Sequence, residues 1–229
     1  MTFQRIKRKL HNLTHPVVGE VWMLHRVVEQ RSVKPGQRDL EVTPAWLEQK
    51  INDYRAKGWK FVSIDNLPKK GRWVCITFDD GYRDNYTLAY PLLKQLDVPF
   101  AVYVSTGFLD NHNEMWWYPG QQLAMSTDEL KTLDTDSLCT IGAHTVNHLK
   151  LDSLSVEQQI AEIKNSKDEL EQLLGHPIRH LSFPHGAYND DTIAICQGLG
   201  FQTVARSWGG PLRRGASRRV LNRIETIQP

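Results

Sequence analysis

No run of eighteen apolar residues occurs anywhere in the 229-residue chain, which excludes a hydrophobic helix of bilayer-spanning length. Cysteine is scarce. Cys75, Cys139 and Cys196 stand far apart with no paired spacing, two of them inside apolar runs, so reduced core thiols are expected rather than a disulfide framework. There is little excess of either charge: 28 basic against 26 acidic residues give +2, too little to point to a nucleic-acid partner. The first fifteen residues, MTFQRIKRKLHNLTH, are basic but lack a long apolar stretch and a small-residue cleavage site, so no secretory signal is read and a cytoplasmic location is expected. Repeats and low-complexity linkers are missing as well. With 40% hydrophobic residues the chain can build one sizeable core, and a single domain over 1–229 is expected, with 1–15 as a basic N-terminal segment.

Short apolar runs of strand length recur instead. They are VVGEVWML ending at Leu24, FVSI from Phe61, WVCITF from Trp73, PFAVYVS from Pro99, SLCTIGA from Ser137, RHLSF from Arg179, FQTVA from Phe201 and RVLNRI from Arg219. Helical signals lie between them: Thr43 before Pro44 reads as an N-cap with proline in the first turn, and Gly58 as the stop. Ser126 with Glu129, and Ser155 with Gln158, have capping-box spacing. From Val156, the residues Ile160, Ile163, Leu170, Leu173 and Leu174 are expected on one helical face, with Gly175 as terminator. Strands alternating with helices predict an α/β protein with a parallel sheet, open or closed into a barrel, and a site at the carboxyl ends of the strands.

Three polar clusters sit just after three of those runs: Asp79 and Asp80 after CITF, His144 and His148 in GAHTVNH, and His185 in SFPHGAY. A lone His-x-x-x-His is more often a pair of hydrogen-bonded surface histidines, and Asp-Asp-Gly alone is more often a turn. Together they change the balance. Two histidines four apart can face one way from a helical turn, and a carboxylate from a neighbouring strand completes a facial set for zinc or another divalent metal with a position left for water.

TFDDG, GAHTVNHLKL and FPHGAY, in that order, resemble the polysaccharide deacetylase family, carbohydrate esterases that remove N-acetyl groups from sugars. The likeness runs from MLHRV through EVTPAW to the region of Phe201. It implies a distorted (β/α)7 barrel, an N-acetylated saccharide as substrate, Asp79 as general base, and Asp80, His144 and His148 as metal ligands. A backbone N–H near His185 would hold the oxyanion. Many members take their acid from a late Leu-x-His, but no histidine follows His185 here. The chain is similar instead to circularly permuted members with an early catalytic histidine, which nominates His25 in WMLHRV.

Two departures matter. LSFPHG has no arginine where many members have Arg-x-x-Pro-Tyr, so support for Asp79 must come from elsewhere, with Arg223 and Arg206 as candidates by position. His185 replaces the tyrosine, leaving Pro184, His185 and Gly186 as a wall of the substrate site. Trp116 and Trp117 in EMWWYPG are candidates for stacking on a sugar ring, against the plainer reading of core packing. The basic ends, Arg5 to Lys9 and Arg206 to Arg223, suit a nucleotide-linked or lipid-linked saccharide, or contact with the inner face of a membrane; solvated ends are the plainer reading. Other readings on this scaffold are a deformylase or other amide hydrolase, and a non-catalytic carbohydrate-binding relative.

Overall fold

The computed structural model describes residues 16–229; the basic segment 1–15 singled out above lies outside the described residues. Among the described residues eleven strands follow one another: β1 (Val17–Leu24), β2 (Arg26–Val27), β3 (Glu41–Val42), β4 (Lys60–Phe61), β5 (Trp73–Phe78), β6 (Phe100–Val104), β7 (Cys139–Ala143), β8 (His180–Ser182), β9 (Thr203–Gly209), β10 (Leu212–Arg213) and β11 (Val220–Glu225). The sequence β1-β11-β9-β8-β7-β6-β5 is parallel throughout, and β5 pairs back onto β1 from Gly19↔Trp73 to Leu24↔Phe78. Seven parallel strands therefore close a barrel, with β4 joined to β5 outside the ring and β10 antiparallel to β1. The run FVSI contributes only the two-residue β4 before a 3-10 turn at Ile64–Asn66.

The closed ring explains why WVCITF reads as an unbroken apolar run: all six residues of β5 are buried, as expected for a strand covered on both faces. Val74, Ile76 and Phe78 pack outward under the helices. Trp73, Cys75, Ala101, Tyr103, Ala205 and Leu221 fill the inside. Trp73 plugs the lower end and lies where a Cβ on Gly19 would stand, 2.1 Å from its ring, so β1 accepts no side chain there. Period-two alternation then carries Thr77 and Asp79 to the inner face at the upper end.

The helix Pro44–Ala56 starts at the Thr43 cap, and capping boxes at Ser126–Glu129 and Ser155–Gln158 open Thr127–Asp134 and Val156–Leu174. Gly175, with φ 80°, ends the latter. The expected apolar stripe is met at Ile163 and Leu170, which are buried, and at Leu173 and Leu174, which pack against the core, but not at Ile160, which is exposed like Val156. The buried face also takes in Gln159, Glu162 and Ser166. Two of the polar residues bond to neighbouring segments, Gln159 accepting from Thr192 Oγ1 at 2.6 Å and Glu162 holding the loop after β7, while Ser166 Oγ donates back to the Ile163 carbonyl at 3.0 Å. All three cysteines are free and buried.

At the lower end, Asp65 draws together three strands. It accepts from buried His180 of β8 (Nε2–H, 3.0 Å) and from Thr140 of β7 (2.8 Å), while Thr203 of β9 donates to His180 Nδ1 at 2.8 Å. The hydrogen bond from His180, aided by the Thr140 and Ser63 hydroxyls, outweighs partial burial and holds Asp65 well below its ordinary value of 3.8. A depressed carboxylate contributes stability above its unfolded value and loses it as acid protonates the folded form. Asp65→Asn is therefore expected to lower the melting temperature at pH 6, with the difference from the parent shrinking steadily below about pH 4. Thermal melts at stepped pH check this; a difference that grows in acid contradicts it.

Candidate active site

Asp79 and Asp80 occupy the upper end of β5 and face different partners because the backbone turns between them. Asp79 continues the inward row of Thr77, its N–H bonded to the Leu24 carbonyl at 2.9 Å. Asp80 has φ 76° and Gly81 φ 78°, two successive left-handed residues that swing the second carboxylate away from the first. At Gly81 a Cβ would also press on Val104 Cγ1 at 3.2 Å.

Asp79 meets a fully buried guanidinium. Arg223 donates Nη1 to Oδ1 at 2.7 Å and Nη2 to Oδ2 at 2.6 Å, and also bonds Thr77 Oγ1 (3.1 Å), Ser182 Oγ (2.7 Å) and the Arg206 carbonyl (3.1 Å). All five guanidinium N–H groups thus have acceptors. Arg223 follows Leu221 by two residues on β11, so period-two alternation points its side chain to the inside that Leu221 also fills, while the register shift in the β9–β11 pairing places the extra residues on β9, between Ala205 and Gly209. Burial opposes the Asp79 charge, but Arg223, then His144, outweighs it and holds the carboxyl below its ordinary range. Arg206 does not share this task. Its guanidinium bonds Asn222 and Tyr188.

Asp80, His144 and His148 converge. Asp80 Oδ1 lies 3.3 Å from His144 Nε2 and 3.2 Å from His148 Nε2, and all three residues are buried. The histidines do not come from one helical turn, as the spacing suggested. His144 follows β7 directly, and His148 ends a loop in which Thr145 (φ 64°) and His148 (φ 55°) are left-handed. Glu162 supports that loop, accepting the N–H groups of Val146 (3.1 Å) and Asn147 (2.8 Å) and the Asn147 amide (2.7 Å). Glu162, Ser182 and Arg223's hydroxyl partner Thr77 carry no motif, so spacing alone did not disclose them.

The donor chemistry fits a cation. His144 Nδ1 lies 2.8 Å from the Ser182 carbonyl; a carbonyl only accepts, so Nδ1 carries the proton and Nε2 presents a lone pair toward Asp80. Asp80 Oδ1 is buried without a hydrogen-bond partner. Lone pairs facing one another at these distances repel unless a positive centre lies between them. Ligand atoms around a tetrahedral ion with bonds of about 2.0–2.2 Å stand about 3.3–3.6 Å apart, close to the separations observed. Burial disfavours charge at both groups, yet Asp80 is held well below its ordinary range by His148 and His144, and His144 is drawn up by Asp79 and Asp80; this surplus of negative charge favours a positive centre at Nε2, a proton without an ion and the cation itself once bound.

These residues line a cavity of about 220 Å³ that also takes in His25, Trp116, Trp117, His185 and Ser207. His25, just beyond β1, and His185 stand on its wall. His185 is left-handed (φ 57°), its ring centroid 4.6 Å from that of His148 and 6.2 Å from Trp116. Burial, with the nearby His148 and Lys150, pushes its pKa down to about 4. Trp117 is half-buried: its Nε1–H bonds Tyr82 Oη at 2.5 Å and its ring lies 4.6 Å from His148. Trp116 is exposed, and Tyr118 belongs to the core. Pro184 and Gly186 are buried, and a Cβ on Gly186 would stand 2.5 Å from the Trp208 ring. A larger concavity of about 410 Å³ lies at the lower end, around Asp65 and His176, away from the convergent ligands.

The family model described as polysaccharide deacetylase matches residues 66–204, and the chain belongs to the polysaccharide deacetylase family. It is 26% identical over 213 residues to YxkH of Bacillus subtilis (strain 168), covering 91% of this chain and 71% of that protein. The poly-beta-1,6-N-acetyl-D-glucosamine N-deacetylase of Staphylococcus aureus (strain MSSA476) is 25% identical over 181 residues, 72% of this chain and 60% of the relative. The chain therefore spans well under two thirds of that enzyme. Among solved structures, the Streptococcus pyogenes deacetylase PplD in complex with acetate superposes with TM-score 0.76 at 27% identity, covering 91% of this chain and 92% of that one. IcaB from Ammonifex degensii has the same fold, with TM-score 0.78, 24% identity and 93% of each chain.

The Asp79–Arg223 pair can be tested apart from any reaction. Arg223→Met leaves a buried carboxylate without its counter-charge and is expected to cost about 3–5 kcal/mol in urea unfolding. Adding Asp79→Leu to that variant is expected to recover part of the loss; if the double variant were less stable than the sum of the singles, the pairing would be misread.

Proposed function

We propose that this protein is a metal-dependent N-deacetylase acting on an N-acetylated polysaccharide, with zinc as the ion. The observation that carries the reading is the convergence of Asp80, His144 and His148 beside an ionised carboxylate, Asp79, that is not one of the three. A protein that only binds saccharide has no use for that fourth group.

Asp80, His144 and His148 would hold a divalent ion, which would supply Lewis acidity for the amide carbonyl and for the attacking water. Asp79 accepts the proton of that water. Arg223 keeps its carboxylate charged and fixes its plane, and Ser182 Oγ donates to the same group at 3.2 Å. In the turn Pro184–Gly186, the N–H groups of Gly186 and Ala187 are bonded to Phe183 and Pro184, and proline has none, so the N–H of His185 is the one left to donate to a developing oxyanion. The departing nitrogen needs a proton, and His25, which lines the same cavity, supplies it. Trp116 and Trp117 offer flat faces for the sugar ring.

Similarity to the Staphylococcus aureus enzyme, whose name gives poly-beta-1,6-N-acetyl-D-glucosamine, supports that polymer as the first substrate to try. Acetate release from its oligomers is expected to stop on chelation and return with zinc. Asp79→Asn is expected to lower kcat by about 10²–10⁴-fold while zinc affinity, read by calorimetric titration, holds. Turnover that persists in chelator overturns the mechanism; acetate release only from other saccharides overturns the choice of substrate.

A further inference from the structure

The motif TFDDG continues into Tyr82-Arg83-Asp84-Asn85, and the last two residues have no part in the chemistry above. They reach back to the strand end that carries His25. Asn85 Nδ2 donates to the His25 carbonyl at 2.8 Å. Asp84 accepts the Val27 N–H at Oδ1 (3.0 Å) and Arg26 Nε at Oδ2 (2.8 Å). With the Asp79 N–H on the Leu24 carbonyl at 2.9 Å, the four residues Leu24 to Val27 are laced to the one segment, 79–85, that carries the base and a ligand.

The anchoring is built rather than incidental. Asn85 is fully buried, and its Oδ1 has no hydrogen-bond partner, an unmet group that costs stability for the sake of the donor. It opens a π-helical turn, Asn85–Ala89, a distortion that clusters at functional sites. Arg26, gripped by Asp84, extends to Glu41 at 3.2 Å and lies 4.9 Å from the Tyr118 ring centroid. The two-stranded ladder of β2 and β3 is thereby pinned to the same segment. The His25 side chain lines the cavity, and among the described residues it is the backbone on either side of it that this segment holds.

We propose that Asp84 and Asn85 are positioning residues that hold His25 in register with Asp79 and Asp80, so that acid, base and ligand move as one hydrogen-bonded unit. The inference rests on His25 being the acid in the reaction proposed above. An acid matters for an amine leaving group and hardly at all for 4-nitrophenolate, which departs as a stable anion. A displacement of about 1 Å can cost about 10²-fold in rate, so loosening His25 should act on amide hydrolysis selectively.

The experiment compares acetate release from an N-acetylglucosamine oligomer with hydrolysis of 4-nitrophenyl acetate in the zinc-loaded parent, H25A, D84N, N85L and H25A/N85L. The amide-to-ester ratio is expected to fall in H25A and, by about 10–100-fold, in D84N and N85L, through kcat rather than KM. H25A/N85L should show no further fall. A variant that is merely less folded loses both reactions together and keeps the parent ratio. An unchanged ratio in D84N and N85L beside a lowered one in H25A overturns the positioning role alone. An unchanged ratio in H25A overturns the acid assignment and this inference with it.

Discussion

A single guanidinium closes the upper end of the barrel. The Arg223 side chain, on β11, donates to groups on β5, β8 and β9, while Thr77 passes the connection to the Trp22 carbonyl of β1 at 2.7 Å. A buried ion pair is weak evidence for stability, because desolvation takes back most of what attraction gives. Its value here is specification: only one register of the closing strand lets both Asp79 oxygens and both hydroxyls be satisfied. The barrel and the base are made by the same contact.

The strand frame was legible because both faces of the barrel strands are apolar, which turns WVCITF or FAVYV into runs that stand out from their polar surroundings. Capping residues marked three helix starts for an equally local reason. The apolar stripe expected on the helix from Val156 failed at Ile160 because loops compete for that face through hydrogen bonds: Glu162 is buried to serve Val146 and Asn147, and periodicity has no means of anticipating it. The metal-ligand types were readable in GAHTVNH, but not their backbone, since left-handed histidine at 148 and threonine at 145 follow from the loop's environment and not from propensity.

The supporting residues were the least legible. Arg223 was one of six arginines in the last part of the chain, and Arg206 turns to Asn222 and Tyr188 instead. The difference is one of strand parity, since Arg223 alternates with inward Leu221 whereas Arg206 adjoins inward Ala205, and which face of these short strands is the inner one is set only when the barrel closes. Asp84 and Asn85 stood in plain view beside TFDDG, yet their partners are some sixty residues earlier. Long-range pairing of short polar side chains leaves no periodic trace. Left-handed φ at Asp80, His148 and His185 adds to this, since strained conformations of this kind cost about 1–3 kcal/mol each and persist only where the surroundings impose them.

Arg223 lies 144 residues beyond Asp79 in the chain, and this separation has a meaning for biosynthesis. Strands β5 to β8 emerge from the ribosome in order and can pair as they come, but the carboxylate at their upper edge has no Arg223 counter-ion until β11, the last strand of the ring, has been made. Until then it must stay hydrated, which keeps the half-built sheet open where the barrel will close. The nascent protein therefore carries a wet seam beside its future reaction centre, and the same late arginine that dries it also completes the base.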